Sequence, residues 1–315
     1  MPTTAPNHSE ASTLPTVLLT GASGYVGGRL IPLLETQPLV LRCLARDPDK
    51  LRPLVQGSTQ IVRGDVLDPS SLDAALQGVQ TAYYLVHLMS GSRDFEQQDR
   101  QAATHFADAA KRQGVRRIVY LGGLGDDADP KLSPHLRSRH EVGEILRRSG
   151  IETIEFRAGM VVGAGSLSYQ LMKSLTDRLP IMLCPRWLTT PTQPIAIRDV
   201  LAYLVAAKDL PPGESRIFEI GSPDVVTYGD LIREYARQQG LRRWLIFVPV
   251  LTPYLSGLWL AIVTPAAYEV GRHLIEGLKN PTVVRDTKAL EVFSIRPAGV
   301  AEAIRLAIQE STPRA

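Results

Sequence analysis

The sequence predicts an α/β fold, a doubly wound parallel sheet with a smaller, α-rich lobe towards the C-terminus. Two observations carry that expectation. Short apolar runs rich in β-branched residues alternate with helix-period patterns through the first two-thirds of the 315 residues. Strands that are apolar along their whole length are buried on both faces, and the intervening helices cover them. After Gly221 the alternation stops, and proline-broken apolar stretches with a few helical patterns replace it.

Taken in order, strands are expected at Thr16–Thr20, Val40–Ala45, Gln60–Arg63, Thr81–Val86, Arg117–Leu121, Glu152–Arg157 and Arg216–Ile220. Helices are expected between them at Tyr25–Thr36, Ser70–Gln77, Phe95–Gln113, His135–Ser149 and Asp199–Ala207. This is the βαβ rhythm of a doubly wound domain. Asp68-Pro69-Ser70 offers a cap followed by a helix-opening proline. Gly114 and Gly150 each follow a helical run and precede a strand, as glycines just past a helix do. Beyond Gly221, helices are expected around Tyr228–Gln239, Pro265–Leu278 and Val300–Gln309.

The net charge of +3 is small for this length and gives no support to a nucleic-acid partner, which needs a concentrated basic face. The pairs Arg116-Arg117, Arg147-Arg148 and Arg242-Arg243 read as solvated element ends. Cys43 lies in an apolar run and reads as a buried free thiol, and neither it nor Cys184 has metal or CxxC spacing. That usage suits a reducing cytoplasm. Met1 to Pro15 lacks an apolar core of the secretory type and is expected to be a disordered lead-in.

The strongest local signal is Thr20-Gly21-Ala22-Ser23-Gly24-Tyr25-Val26-Gly27, placed where a strand ends and a helix begins. In that setting the glycines serve a tight turn, a close backbone approach to a pyrophosphate, and helix-on-strand packing. The N–H groups of the new helix then face the phosphates. The fold is therefore expected to be Rossmann-like and to bind NAD(P).

The turn resembles the TGxxGxxG of extended and atypical short-chain dehydrogenase/reductases. The likeness extends through Gly64-Asp65-Val66, Arg157-Ala158-Gly159, Pro194–Val200 and Phe218–Gly221, and so covers nearly the whole chain. It is most similar to the NmrA-like, NAD(P)H-binding branch, which includes the accessory nucleotide-binding subunit of respiratory complex I. The resemblance implies that Asp65 holds the adenine amine and Val66 packs on the ring. Gly64-Asp65 is also an ordinary turn pair.

Cofactor choice falls to the end of the second strand, Leu44-Ala45-Arg46-Asp47-Pro48. Arg46 stands where NADP-using members carry a basic residue, Lys50 is near enough to assist, and a guanidinium suits a 2′-phosphate. Asp47 is the kind of residue that binds a ribose 2′-hydroxyl for NAD, but Asp-Pro more often starts a turn. NADP is favoured, with NAD as the alternative.

The family's usual chemistry uses a Ser or Thr after the fifth strand and a YxxxK on the next helix. Here Leu121-Gly122-Gly123 supplies no hydroxyl, His135 stands in the place of the tyrosine, and Arg139 in that of the lysine. Arg139 can bind ribose hydroxyls but does not deprotonate, so it is no proton relay. His135 is a candidate proton donor, with an unperturbed pKa near 6.5, or else a helix-entry residue without chemistry. His87, at the end of the fourth strand, is either a nicotinamide-pocket residue or a loop residue. Gly122 is expected beside the cofactor. No metal-ligand spacing occurs among the histidines, and no metal is expected.

These residues leave two functions open. One is an NAD(P)H-dependent oxidoreductase acting on a small lipophilic carbonyl, enone or quinone with a modified triad. The other is a non-catalytic NAD(P)H sensor or complex-stabilising protein. The expected domains are the NAD(P)-binding unit over 16–221 and a substrate or lid lobe over 222–315. Leu245–Tyr268 carries no charge, but Pro249, Pro253 and Pro265 interrupt it, which argues against a membrane span and leaves surface contact open. It is expected to fold over the sheet edge, where Tyr254, Leu258 and Trp259 would wall an apolar pocket, or else to be plain lobe core.

Overall fold

The computed structural model of the chain describes residues 14–88, 94–248 and 277–311. Its first half alternates strand and helix: β1 (Thr16–Leu19), α1 (Tyr25–Glu35), β2 (Val40–Ala45), the short α2 (Pro48–Leu51), β3 (Gln60–Arg63), α3 (Pro69–Leu76), β4 (Val79–Tyr84), α4 (Phe95–Arg112), β5 (Arg117–Gly123), α5 (Pro134–Arg148) and β6 (Glu152–Ala158). Next come β7 (Val161–Val162), α6 (Leu167–Arg178), β8 (Ile181–Cys184), β9 (Pro191–Thr192), β10 (Ile195–Ala196), α7 (Ile197–Ala207) and β11 (Arg216–Ile220). The remainder holds β12 (Val226–Thr227), α8 (Tyr228–Gln238), β13 (Trp244–Phe247), α9 (Lys288–Val292) and α10 (Val300–Ser311).

The main sheet has seven strands in the order β11-β6-β5-β4-β1-β2-β3, every neighbouring pair parallel. The chain runs outward from β1 to β3, returns to β4 and runs outward the other way. The crevice at the carboxyl ends of β1 and β4 is thus the topological switch point, where open α/β sheets bind ligands. Because side chains alternate along a strand, Leu19 and Leu18 enter opposite cores. Val17, Leu19, Leu30, Val119, Phe156 and Tyr203 fill the face under α1 and α7. Leu18, Ala82, Tyr84, Phe106, Tyr120 and Val142 fill the face under α3, α4 and α5.

A third core belongs to the smaller lobe. It joins Met160, Tyr169, Met172, Met182 and Leu188 to Leu231, Tyr235, Val300 and Ile304, so its residues come from 160–188 as well as from beyond Gly221. The helix α6 and the small sheet β8–β13 were not anticipated. The α6 stretch is interrupted by Ser168, Ser174 and Thr176, and its partners are distant in sequence. Among the described residues no helix is long and apolar enough to cross a membrane.

Local signals behave as their chemistry dictates. Asp68 caps α3 by accepting from Ser70 N–H at 3.1 Å. Gly114 and Gly150 sit at φ values of 72° and 84°, ending α4 and α5 in the left-handed region. Cys43 and Cys184 are buried free thiols, and burial pushes the Cys43 pKa up to about 12. One reading needs correction: Arg117 is no solvated end but only 6% exposed. Its guanidinium pairs with Glu152 at 2.8 Å and donates to the carbonyls of Ala207, Lys208 and Pro211. Arg147 likewise turns inward to Glu155, which is fully buried.

Candidate functional site

The strand β1 delivers the chain to the switch point, and the glycine turn forms there because no side chain fits. Gly21 has φ 68°, and a Cβ on it would lie 2.4 Å from the carbonyl oxygen of Leu85, just past β4. A Cβ on Gly27 would lie 2.2 Å from the carbonyl oxygen of Gly21. The turn is therefore pressed against both the neighbouring strand extension and the first turn of α1. The N-cap of α1 is Gly24, with no side-chain cap bond. Its first-turn N–H groups are thus unclaimed by a cap and suit an anion. This backbone cradle fits a dinucleotide pyrophosphate.

A cleft of about 380 Å³ opens beside the turn. Gly21, Gly24, Tyr25, Val26, Gly27, His87, Gly122, His135 and Arg139 all line it, so the structure brings nine of the sequence-predicted residues together. Leu85, Leu121, Leu136, Met160 and Val161 add apolar wall. Ser23 is exposed in the turn. Arg46, Asp65 and Val66 do not line the cleft but lie at the same carboxyl edge of the sheet, after β2 and β3.

Their local geometry is that of turn residues and an exposed cation. Arg46 is exposed at the end of β2. Asp47 accepts from Asp49 N–H at 3.2 Å and caps α2, as a turn-starting Asp does, and Lys50 lies 3.5 Å from Asp47. The Asp65 carboxylate accepts from Leu67 N–H at 3.0 Å, while Ser71 Oγ accepts from Asp65 N–H. Val66 is buried in the core with Leu44 and Leu72. Asp65 is a turn former by geometry, whatever else it touches.

The opposite wall of the cleft is made of side chains. Ser133 caps α5 by accepting from Leu136 N–H, and Pro134 starts the helix, which sets His135 in its first turn. His135 Nδ1 lies 3.0 Å from His87 Nε2, and His87 Nδ1 lies 2.9 Å from Asp99 Oδ2. Asp99 on α4 is 2% exposed and accepts from Leu88 N–H and Ser138 Oγ, both at 2.9 Å. Burial alone would raise the Asp99 carboxyl, but the bonds from His87, Leu88 and Ser138 hold it below the ordinary carboxylate range. Burial pushes His87 down, against the upward pull of Asp99.

Asp99 escaped the sequence reading, although a signal for it exists. On α4 the buried stripe runs Phe95, Asp99, Ala102, Ala103 and Phe106, so a carboxylate occupies a core position of an amphipathic helix. Such a position demands partners. Arg139 stands beside this group, its guanidinium 5.0 Å from the centroid of the Tyr120 ring. The Tyr120 hydroxyl is spent on the carbonyl of Arg139 at 2.9 Å, and burial pushes its pKa up to about 12. It is no substitute for the missing family tyrosine.

The chain returns to this rim at Gly277 and Leu278, which line the cleft. Asn280 accepts from Ser133 N–H and donates to Asp129 and to the carbonyl of Lys131. Thr282 then bonds Thr192 on β9 at 2.8 Å. This strap fastens the α5 side of the cleft to the small lobe. Tyr254, Leu258 and Trp259 lie outside the described residues, as does most of the expected helix Pro265–Leu278. Among the described residues no group of three or more His, Cys, Asp or Glu is placed to hold a metal ion.

Comparison with known proteins adds four findings. Residues 21–178 match a protein family described as NAD(P)H-binding. An NAD(P)H azoreductase of Xenophilus azovorans is 32% identical over 113 residues, 36% of this chain and only 37% of that protein. The photosystem II assembly factor Ycf39 of Cyanophora paradoxa is 23% identical over 271 residues, 83% of this chain and 79% of that protein. In three dimensions the chain is similar to the Escherichia coli NADPH-dependent quinone oxidoreductase QOR2, solved with NADPH. The TM-score is 0.72 at 20% identity, over 92% of this chain and 98% of that one. At that identity the likeness concerns the fold.

Proposed function

The chain belongs to the NAD(P)H-binding family, and from that premise we propose that it is an NADPH-dependent reductase of a small apolar carbonyl, enone, quinone or azo compound. The observation that carries this reading is one cleft with two different walls. A backbone cradle for a dinucleotide faces a wall of apolar side chains that also holds His135. Bound NADPH supplies a hydride.

The residues divide the remaining work. Gly21, Gly24 and Gly27 admit the pyrophosphate to the N-terminus of α1. Arg46, exposed at the end of β2, pairs with the 2′-phosphate and sets the preference for NADPH. Asp65 and Val66 take the adenine end, as the family pattern implies. Arg139 binds ribose hydroxyls and keeps a positive charge beside the cleft. His135 gives the substrate its proton, which neither Gly122 nor Gly123 is equipped to do. Leu85, Leu121, Leu136, Met160 and Val161 exclude water and favour an apolar acceptor.

The test is NADPH oxidation by the purified chain against a panel of quinones, enones, aldehydes and azo dyes. Turnover with at least one of these is expected, and a protein that binds NADPH but reduces none sinks the proposal. A second reading has one observation in its favour. The match to the assembly factor spans 83% of the chain, whereas that to the azoreductase spans 36%. On that reading the chain senses NADPH or stabilises a complex, and the inert outcome supports it.

A further inference from the structure

The Asp99–His87–His135 line is more than the reductase reading requires, and it is built at some cost. A carboxylate buried to this degree survives only when its lone pairs are occupied. Here three donors converge on it: the His87 imidazole, the Leu88 N–H and the Ser138 hydroxyl. The two imidazoles are bonded to each other at 3.0 Å, their centroids 4.9 Å apart. Between two imidazole nitrogens such a bond needs one proton, so the tautomers of the pair are linked. Asp99 fixes the order by accepting a hydrogen bond from His87 Nδ1–H, which leaves His87 Nε2 as the atom shared with His135.

We infer that His87 and His135 form a two-imidazole proton relay, anchored by Asp99 and Ser138, that delivers one proton to a substrate in the cleft. The inference rests on the reductase reading for its substrate and deepens that reading. In the charged state His87 carries protons on both nitrogens, and His135 carries its proton on Nε2. When the His135 Nε2–H bond breaks, its proton bonds to the lone pair that the reduced acceptor has gained. The His87 Nε2 proton crosses to His135 Nδ1, and the pair changes from one positive charge to none. A proton from water restores it. His135 is the catalytic residue, while His87, Asp99 and Ser138 are positioning residues that act through it.

The groups that face the pair set its pH behaviour. Asp99 on α4 favours the charged form, and Arg139 on α5 opposes it, as does burial of His87. Tyr84 and Tyr120 on β4 and β5 border Asp99, both held protonated by burial. Two linked imidazoles titrate in shared macroscopic steps.

The experiment is an imidazole 15N and 1H NMR titration of the full chain, without cofactor, for wild type, Asp99→Asn, Ser138→Ala and His87→Gln. In the wild type, His87 Nδ1 is expected to stay protonated throughout while both rings titrate together. Asp99→Asn removes a favourable charge and should move the shared step to lower pH. Ser138→Ala frees Asp99 to bond His87 more strongly and should move it to higher pH, which keeps the test available if Asp99→Asn does not fold. With an acceptor in hand, Asp99→Asn should lower kcat about tenfold or more with KM little changed, within the usual scale of acid catalysis. If His135 titrates identically in wild type and His87→Gln, the relay is overturned, whether or not any acceptor is reduced. Linked titration in a protein that reduces nothing upholds the linkage and sinks the reductase reading instead.

Discussion

On the β1 side of the cleft the working surface is backbone, a continuous run from Thr20 to Gly27 in which Gly21 and Gly27 are needed because a Cβ on either would strike a carbonyl oxygen at 2.2–2.4 Å. On the α5 side it is side chain, gathered from a strand extension (His87), from α4 (Asp99) and from α5 (His135, Ser138). The first wall is set by what is absent from the sequence at fixed local spacing. The second depends on three elements arriving in register, so each member is unremarkable until the sheet has formed. On the proposed reading, binding and proton transfer are separable, and mutation should separate them.

The largest effect is expected from the side-chain wall. His135→Phe should lower turnover by about 10²–10⁴-fold, the scale of general acid catalysis, and leave NADPH affinity unchanged. Steady-state kinetics beside calorimetry would show whether kcat alone moves. The reverse pattern is expected from Gly27→Val, whose side chain must displace the Gly21 carbonyl. The turn must rearrange at about 1–3 kcal/mol, the usual cost of overpacking, and NADPH affinity should fall as the cradle distorts. If it loses kcat but keeps its affinity, the two walls are not divided as described.

An effect of similar size sharpens the cofactor side. Arg46→Asp should weaken NADPH binding by about 1.5–3 kcal/mol, the worth of a charge-assisted bond, and leave NADH binding nearly as it was. Equal affinity of the wild type for both cofactors would remove Arg46 from the site. The smallest effect is on stability. Burial lowers the His87 pKa from 6.5 in the folded chain, so below that value the unfolded chain takes up a proton that the folded one resists. Stability is therefore fully present above pH 6.5 and is lost as pH falls towards the lowered value. Urea midpoints at pH 7 and pH 5 should differ in that sense, and less so in His87→Gln.

Much of this was legible in the sequence for a physical reason. The glycine turn, the strands of the main sheet and the caps at Asp68, Gly114 and Gly150 are local codes, readable within a few residues. The candidate residues lining the cleft follow from the topological switch point, which any βαβ order of this kind creates. Asp99 was missed because a carboxylate on a polar helix reads as solvated unless its heptad position is weighed. Arg117 was misread for the same reason, since only the fold brings Glu152 and three carbonyls around it. The α6 helix and the β8–β13 sheet depend on partners dozens of residues away, and no local period announces them.

Asn280 has a consequence for how the cleft's rim tolerates change. Its amide uses one acceptor and two donors, facing an N–H, a carboxylate and a carbonyl in turn. Aspartate has nearly the same outline, yet it would aim an acceptor at Asp129 and at the Lys131 carbonyl. Leucine would fill the same space and leave the buried Ser133 N–H without its acceptor and the partly buried Asp129 carboxylate and Lys131 carbonyl without their donor. The docking of the returning chain beside His135 is thus specified by polarity rather than by shape, and the site discriminates among substitutions that a purely steric comparison would treat as equivalent.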